Sequence, residues 1–506
     1  NDLYFNLNVN GVQIDPSSLV KGLFLGIGSA LLAAALPAAE AGGVPAVTVL
    51  QRSDLELRVR RAIPMLNKLA LVLILVGGGV LLFIPNVIAS FGGIFAGLFG
   101  ITLLIPGITV ALMRFATATV GRLGLLGRMA ARTVIGALSR TSVAIAALMV
   151  AISVTIGVGV MIASFRATVV TWLDQTFTAD FFIDTPSPGA NTVSQMDPAV
   201  IDRIRAVPGV QEVEILRNVY ANSPELGSVH LYSASPGRQR DSKEFRYTLG
   251  SAQETWRQFD LGGILITEPF ANRRHLSVGQ EITLLTDHGP KRFPIVGITF
   301  DYSSDQGYIF MSLDRYRENW DDRNISGAAA WVVPGVDVEK VGDDIRHALS
   351  GELVVVESNQ ALRNAALVVF DRTFAITATL RFIAVVVAFI GILSALMALQ
   401  LERTRELATL RATGMTIRQL WQLTLLESGL MGATAGILSI PTGLLLAAVL
   451  IYVINLRSFG WTIFFTPVPE TYLEALAVSV IAALLAAVYP MIRLGKLETA
   501  EALREE

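Results

Sequence analysis

The chain is 506 residues long, and its composition is typical of a membrane protein rather than a water-soluble one. Hydrophobic residues make up 52% of it, charged residues only 16%, and the mean hydropathy is +0.55. Soluble domains carry about 25% charged residues, so this chain has too few charges to cover a water-exposed surface. Its net charge of −2 gives no reason to expect a nucleic-acid partner. Since it contains no cysteine, disulfides and thiolate metal sites are excluded.

Apolar runs, taken in chain order, predict seven membrane-spanning helices. A span needs about 20 mostly apolar residues, because about 30 Å of hydrocarbon is crossed at about 1.5 Å per residue. Seven segments meet this requirement, approximately 18–37, 68–85, 90–113, 142–164, 376–400, 420–453 and 472–492. The sixth is too long for one straight span. We expect it to begin as an amphipathic helix and to bend at Pro441.

Basic residues in the short loops predict the orientation of these spans. The loops after the first, third and fifth spans are rich in arginine and lysine: Arg52, Arg58, Arg60, Arg61, Lys68; Arg114, Arg122, Arg128, Arg132, Arg140; Arg403, Arg405, Arg411, Arg418. The positive-inside rule places these loops in the cytoplasm, so the N-terminus is outside and the C-terminus inside. The last outer loop contains Phe459, Trp461, Phe464 and Phe465, which we interpret as an aromatic belt at the membrane interface.

A polar insert separates the fourth and fifth spans. Residues 165–375 contain 28 acidic and 20 basic side chains and all four histidines of the chain. Short apolar stretches at Asp180–Asp184, Gly263–Thr267 and Glu281–Thr299 predict strands, the last of them a strand, turn and strand. Asp197 followed by Pro198 predicts the start of a helix. The insert is therefore expected to be an α/β domain, and an apolar helical pattern over 164–177 predicts a stalk beneath it.

Two apolar segments resemble each other at a constant offset. Ser29–Pro37 reads SALLAAALP, Ala482–Pro490 reads AALLAAVYP, and the register continues into the polar residues that follow. Such self-similarity favours an internal duplication. The first span is then the last helix of a first repeat, and we expect a ten-span parent of which this chain lacks the N-terminal part.

Residues 401–428, LERTRELATLRATGMTIRQLWQLTLLES, predict two helices joined by a sharp turn. Leu407, Leu410 and Gly414 recur on one face of the first helix. Gly414 suits the left-handed position that ends a helix. Thr416 with Gln419 forms a capping box that starts the next helix. From spacing alone, the charges here also fit an ordinary solvated face.

This segment resembles the FtsX-like permease family of ABC transporters. The resemblance lies in ERxRELxxLRAxGMxxxQL from Glu402 and in the later Glu427, Gly432, Gly436 and Gly443. Residues 128–166 resemble the opening helix of the family's second repeat, and Val44–Gln51 and Leu497–Arg504 resemble its short tails. Residues 276–297 resemble the periplasmic core of macrolide-exporter permeases. Lipoprotein-releasing permeases are related to these. The sequence departs from the family at Pro441, within a stretch that is usually rich in glycine.

The resemblance implies a polytopic α-helical protein of the bacterial inner membrane with an α/β extracytoplasmic domain. We expect five regions: the last span of the first repeat with its inner tail (1–67); two linker spans (68–116); an inner amphipathic helix, the first span of the second repeat and a stalk (117–177); a periplasmic α/β domain (178–365); and the last three spans (366–506) with a coupling helix at 401–414.

The resemblance also implies a function. The chain would be a permease that transmits ATP-driven motion to its outer domain, where it extracts or exports a lipid, lipoprotein, peptide or other hydrophobic cargo. ATP would be bound by a separate cytoplasmic ATPase, in two copies per permease, and the permease itself would hold no cofactor. Further expected partners are membrane lipid and a periplasmic lipase, lipoprotein or hydrolase. The expected contacts of the ATPase are Glu402, Arg405, Glu406, Leu410, Arg411 and Gly414.

Motifs for catalysis are absent from the sequence. It contains no GxxxxGK[ST], no HExxH and no Gly-x-Ser-x-Gly. We interpret the four histidines as structural and the acidic pair Asp321-Asp322 as solvated. Two alternatives stay open, a regulator of an extracytoplasmic hydrolase and a gradient-driven carrier. A carrier would need ionisable groups deep in a span, but Arg381 and Glu427 lie near predicted span ends, where snorkelling explains them.

Overall fold

The computed structural model describes residues 16–43, 52–119, 124–185, 195–238, 243–402, 410–411 and 413–495. Within these residues, each predicted span coincides with a long helix. The helices outside the α/β domain are α1 (Pro16–Gly43), α2 (Arg52–Phe83), α3 (Val87–Thr119), α4 (Leu125–Gly136), α5 (Leu138–Thr176), α11 (Asn359–Glu402), α12 (Ile417–Val449), a π-helix (Leu450–Asn455), α13 (Leu456–Phe459) and α14 (Pro469–Gly495).

Five of the described helices are long and apolar enough to cross a membrane. They are Arg60–Phe83 within α2, α3, α5, the continuous helix Ile417–Phe459 and Pro469–Val488 within α14. The other two predicted spans correspond to α1 and α11, many of whose side chains lie outside the described ones. The sixth predicted span is thus one helix of 43 residues that contains Pro441 and continues through the π-helix into α13. A helical membrane protein is confirmed.

Glycines allow the spanning helices to pack with their backbones close together. A Cβ atom at Gly432 would lie 2.7 Å from Cβ of Ala483, so α12 and α14 approach as closely as two small residues permit. A Cβ atom at Gly443 would lie 2.6 Å from Cβ of Ile156, which brings α12 against α5 in the same way. The helix α12 is therefore held between α5 and α14 in the centre of the described bundle.

The α/β domain between α5 and α11 is built on one mixed sheet. Its strands are β1 (Phe181–Asp184), β2 (Val210–Ser223), β3 (Gly227–Ala234), β4 (Phe245–Thr248), β5 (Ile264–Thr267), β6 (Glu281–Thr286), β7 (Gly289–Thr299), β8 (Ile309–Ser312), β9 (Gly327–Val332) and β10 (Val355–Ser358). Their order is β10-β1-β9-β2-β3-β8-β5-β7-β4, and β6 pairs with β2 and β7. The helices are α6 (Ala199–Arg205), α7 (Ala252–Asp260), α8 (Glu268–Arg274), α9 (Leu313–Asn319) and α10 (Val338–Ala348).

The local patterns that predicted this domain are confirmed. The Asp197 carboxylate accepts the N–H of Ala199, the first residue of α6, at 2.9 Å, and Pro198 lies between them. The strands β6 and β7 form a hairpin whose pairing closes with Thr286 opposite Gly289, as the strand, turn and strand pattern predicted. The strand β5 is buried along its whole length because β7 and β8 flank it in the sheet.

One acidic side chain contradicts its predicted exposure. Asp322 was expected in solvent, but its Oδ2 lies 2.5 Å from Nη2 of the buried Arg217 and accepts the hydroxyl of Tyr316 at 2.8 Å. Arg217 also donates to Ser326 at 3.1 Å. A charge at the centre of a domain needs such partners, and its neighbour Asp321 stays exposed. The network therefore ties β2 to the chain between α9 and β9.

Two helices carry the α/β domain. Four residues separate the end of α5 from the start of β1, and α11 begins directly after β10. At about 1.5 Å per residue, α5 is about 58 Å long and α11 about 66 Å, so each is longer than the membrane is thick. Residues 164–176 of the predicted stalk form the last part of α5, and α11 packs against α5.

Candidate functional site: the joint and the elbow

The chain that connects α13 to α14 leaves the helix bundle and contacts the α/β domain. We call residues 460–468 the joint loop. It begins at Gly460, which has a φ of 80° and packs so closely on α8 that an added Cβ would lie 3.4 Å from Cα of Pro269. The side chain of Asn455 fixes the next turn, since it donates to the Trp461 carbonyl at 2.8 Å and accepts the indole N–H at 3.0 Å.

A buried carboxylate holds the joint loop on the domain. Glu268, at the start of α8, is 1% exposed. Its Oε2 accepts the backbone N–H of Thr462 at 2.9 Å, and its Oε1 accepts the Thr462 hydroxyl at 2.7 Å. Arg246, at the edge strand β4, pairs with the same Oε1 at 2.7 Å and also donates to the Thr462 hydroxyl. Three residues far apart in the chain thus form one connected polar cluster.

Neighbouring groups complete this contact from both sides. The hydroxyl of Tyr302 donates to the Thr462 carbonyl at 2.6 Å, and the side-chain amide of Asn272 donates to the Gly460 carbonyl. Both polar backbone groups of Thr462 therefore bind groups of the α/β domain. Because buried backbone groups rarely go unpaired, the joint loop has one preferred position on the α/β domain.

The same loop is fastened to the stalk helix α5. The N–H of Phe464 donates to Oγ1 of Thr168, and the N–H of Thr466 donates to Oγ of Ser164, each at 3.0 Å. Aromatic contacts lie between these bonds and the domain. Their ring centroids are 5.9 Å apart for Phe165–Trp461, 5.3 Å for Phe300–Phe464, and 5.8 Å for Trp172–Tyr302. We call the whole set of contacts, from Glu268 to Ser164, the joint.

The electrostatics of the joint follow from burial. Burial raises the pKa of the Glu268 carboxyl above its ordinary value of 4.5, although hydrogen bonds from Thr462 and the charge of Arg246 lower it. Burial also raises the pKa of Tyr302, so its hydroxyl stays a donor. Water is largely excluded, hence removing Glu268 leaves the charge of Arg246 without its counter-charge.

The stalk helices are also linked by two ion pairs at their surface. Arg166 lies 3.0 Å from Asp371, and Arg363 lies 2.8 Å from Asp174. Their side chains are 40–56% exposed, so each contributes little to stability. They mark the places where α5 and α11 run side by side, and substitutions there should leave the fold intact.

The opposite end of the bundle carries the predicted turn, residues 410–416, which we call the elbow. Met415 N–H donates to the Leu410 carbonyl at 2.9 Å, and Gly414 N–H donates to the Arg411 carbonyl at 3.0 Å. These two bonds are a Schellman motif, and Gly414 has the positive φ, 103°, that the motif requires. Thr416 and Gln419 form the predicted capping box at the start of α12. Both local predictions are confirmed.

The predicted ATPase contacts fall around this elbow, and their role stays a prediction. Glu402 is the last residue of α11. Arg405 and Glu406 lie outside the described residues. Leu410 and Arg411 are half-buried at the elbow, and Gly414 is exposed at its tip. The side chains of Leu410 and Arg411 therefore have exposed surface that a partner could contact.

One sequence interpretation is wrong because it ignored tertiary packing, and another stays a prediction. The aromatic residues of the last outer loop were expected at the lipid interface; Trp461 and Phe464 have ring contacts with the stalk and the α/β domain, while the side chains of Phe459 and Phe464 stay 47% and 49% exposed. Glu427 was expected to snorkel, but it is 2% exposed within the packed helices of the bundle. The residues of the joint were not predicted, since Glu268 and Thr462 are 194 positions apart.

No group of three or more metal-binding side chains occurs among the residues that the structure describes. The structure instead shows a polytopic membrane protein whose α/β domain stands on two helices and is fastened by a joint to a third part of the bundle.

Known proteins match both parts of the chain. Residues 378–499 match the FtsX-like permease C-terminal model, and residues 141–348 match the MacB-like periplasmic core domain. The chain is 39% identical over 516 residues to the uncharacterized ABC transporter permease protein Rv0987 of Mycobacterium tuberculosis. That match covers 100% of this chain and 60% of the relative, so the chain spans about three fifths of its length. The chain therefore contains an FtsX-like permease C-terminal domain and a MacB-like periplasmic core domain.

Two solved structures show weaker similarity to the α/β domain. The extracellular domain of the noncanonic ABC-type transporter YknZ from Gram-positive bacteria is 12% identical with a TM-score of 0.27, and covers 36% of this chain and 100% of its own. A domain of a putative permease protein from Porphyromonas gingivalis is 14% identical with a TM-score of 0.23, and covers 36% and 89%.

Proposed function

We propose that the chain is the transmembrane subunit of an ABC transporter that carries motion from a cytoplasmic ATPase to its α/β domain. The elbow would receive the ATPase, and the domain would act on a hydrophobic cargo such as a lipid, lipoprotein or peptide. ATP would be bound and hydrolysed by the partner, in two copies per permease. In this orientation the elbow and the C-terminus are cytoplasmic and the α/β domain is outside.

The observation that supports this proposal is the continuity of α11. It is one helix from Asn359, next to the sheet, to Glu402, at the start of the predicted coupling segment. A helix of 44 residues transmits a displacement of one end to the other because its backbone hydrogen bonds resist bending. The stalk part of α5, which runs beside α11, and the joint each attach the domain to the bundle as well. A push at the elbow would therefore tilt or shift the whole domain.

Docking of an ATPase is tested by co-purification. Arg405→Ala with Glu406→Ala should abolish retention of the ATPase by the permease and stimulation of its ATP hydrolysis. The matched control is Arg257→Ala with Glu254→Ala, which removes the same two side chains from an exposed pair on α7. If the elbow variant retains and stimulates the ATPase as well as the control does, the docking assignment is wrong.

Transmission is tested in the stalk with paired cysteines. The chain contains no cysteine, so Arg166→Cys with Asp371→Cys introduces a single reactive pair across α5 and α11. We expect the rate of disulfide formation to change several-fold between nucleotide-free and ATP-bound complexes. An equal rate in both states, with ATP hydrolysis intact, would contradict motion of α5 against α11. Arg203→Cys with Glu352→Cys, a pair within the α/β domain, should show no nucleotide dependence.

A further inference from the structure

The helices α2 and α3 lie outside both matched regions, which begin at residues 141 and 378. They nevertheless pack into a close antiparallel hairpin. A Cβ atom at Gly77 would lie 2.6 Å from the Gly93 carbonyl oxygen, and one at Gly100 would lie 2.9 Å from the Ala70 carbonyl oxygen. The two backbones are therefore in close contact at both places.

An arginine from α13 binds the C-terminal end of α2, the first helix of this hairpin. The last carbonyls of any helix lack partners within it, and the helix dipole makes that end negative. Arg457 donates from Nη2 to the Leu81 carbonyl at 2.6 Å and from Nη1 to the Ile84 carbonyl at 2.8 Å. Its Nη1 also donates to the hydroxyl of the buried Ser90 at 2.6 Å, on α3. One guanidinium thus binds α2, the turn and α3 together.

The position of Arg457 in the chain connects this contact with the joint. It lies three residues before Gly460, where the joint loop begins, and two residues after Asn455, which binds Trp461 through two hydrogen bonds. The direction in which the loop leaves α13 therefore depends on where α13 is held. Arg457 holds it against the end of α2.

The other end of the hairpin is bound in a similar way. Arg60, on α2, donates from Nη2 to the Ile135 carbonyl at 3.0 Å, in the last turn of α4. The helical conformation is interrupted at Ala137, between α4 and α5, and the Thr141 hydroxyl donates to the Val134 carbonyl at 2.9 Å across that interruption. The hairpin therefore contacts the last turn of α4, next to the start of α5, at one end, and α13, just before the joint loop, at the other.

We propose that Arg457 is a positioning residue for the joint and that the α2–α3 hairpin is part of the transmitting structure rather than a spacer. Lysine cannot replace it fully, because the guanidinium places its donors on two separate nitrogens, Nη1 and Nη2, whereas the donors of an ammonium all lie on one nitrogen. The significance of this contact rests on the proposed function, but the contact itself is tested without nucleotide or ATPase. The two proposals can therefore fail separately.

The experiment is amide hydrogen exchange of the full chain in lipid nanodiscs. In Arg457→Ala, the amides of Phe464 and Thr466 should exchange at least about tenfold faster. The charged hydrogen bonds that hold α13, and with it the start of the joint loop, are lost in this variant. Arg457→Lys should show a smaller increase, and Arg257→Ala, which removes an exposed arginine of the α/β domain, should show none.

A merely local role for Arg457 would have a different outcome. It would raise exchange only at residues 84–90 and leave the joint loop unchanged, and that result would overturn the proposal. If Arg457→Ala does not fold, Arg457→Lys and Ser90→Ala provide the same comparison. In the double variant with Arg457→Ala and Glu268→Ala, the exchange rate of the Phe464 amide should rise by less than the product of the two single increases, because both changes release the same loop. Independent effects would also contradict the proposal.

Discussion

Replacement of the buried Glu268 by alanine should release the joint loop. The carboxylate accepts two hydrogen bonds from Thr462 and pairs with Arg246. Removing one partner of a buried ion pair costs about 3–5 kcal/mol, because the other charge is left without compensation. The Arg246 side chain is 22% exposed and keeps some water, so we take the lower end, about 3 kcal/mol. The equilibrium constant for detachment of the joint loop from the α/β domain should then rise about 100-fold.

Exchange of the Phe464 and Thr466 amides measures this opening. Their acceptors are Thr168 and Ser164, not Glu268, so faster exchange reports movement of the loop rather than loss of the amide's own acceptor. The observed rate follows the opening constant when closing is fast. We expect an increase of about 100-fold in both amides, with the rest of the α/β domain unchanged.

A matched control separates the joint from a general loss of carboxylates. Glu254→Ala removes an exposed carboxylate that pairs with Arg257 within α7, and it should leave the joint loop unchanged. If Glu268→Ala, with its fold intact, accelerates the two reporter amides by less than about tenfold, the buried cluster does not hold the loop. The reasoning from burial would then be refuted.

Two further predictions follow from the same structure. Burial raises the pKa of Glu268 above 4.5, so its carboxyl binds a proton more readily when the joint loop is bound to the α/β domain than when the loop is detached. The loop should therefore be bound most tightly below about pH 4.5, and its binding should weaken as the pH rises through the raised pKa. Exchange corrected for its intrinsic pH dependence should show this trend, and Glu268→Gln should remove it. Gly443→Ala places a methyl group 2.6 Å from Cβ of Ile156, which should cost about 1–3 kcal/mol and lower the Tm in detergent. Gly429→Ala, whose nearest neighbour is 3.7 Å away, should leave the Tm unchanged.

Some of this molecule could be predicted from short stretches of sequence. Long apolar runs predicted each spanning helix, because a helix is the only way for a single segment to satisfy its backbone in lipid. The elbow was predicted for a similar reason. Gly414, Thr416 and Gln419 act through bonds within a few residues, so their pattern is sufficient.

The joint could not be predicted in this way. Glu268 resembles any acidic residue at a helix start, and Thr462 resembles any polar residue of an outer loop. Their importance comes from burial, which exists only when the α/β domain rests on the joint loop. The one signal in the sequence was the aromatic run around Trp461, but aromatic residues suit both a lipid interface and a packed interface.

The sequence by itself determined the spans, the α/β domain, the elbow and the family resemblance, all of which depend on local hydrophobicity, spacing and turn residues. Only the tertiary structure decided that Arg246, Glu268 and Thr462 meet, and that Arg457 binds the end of α2. Those contacts join residues from about 20 to more than 370 positions apart. No local pattern specifies such pairs, because their energy arises from excluding water at an interface between distant parts of the chain.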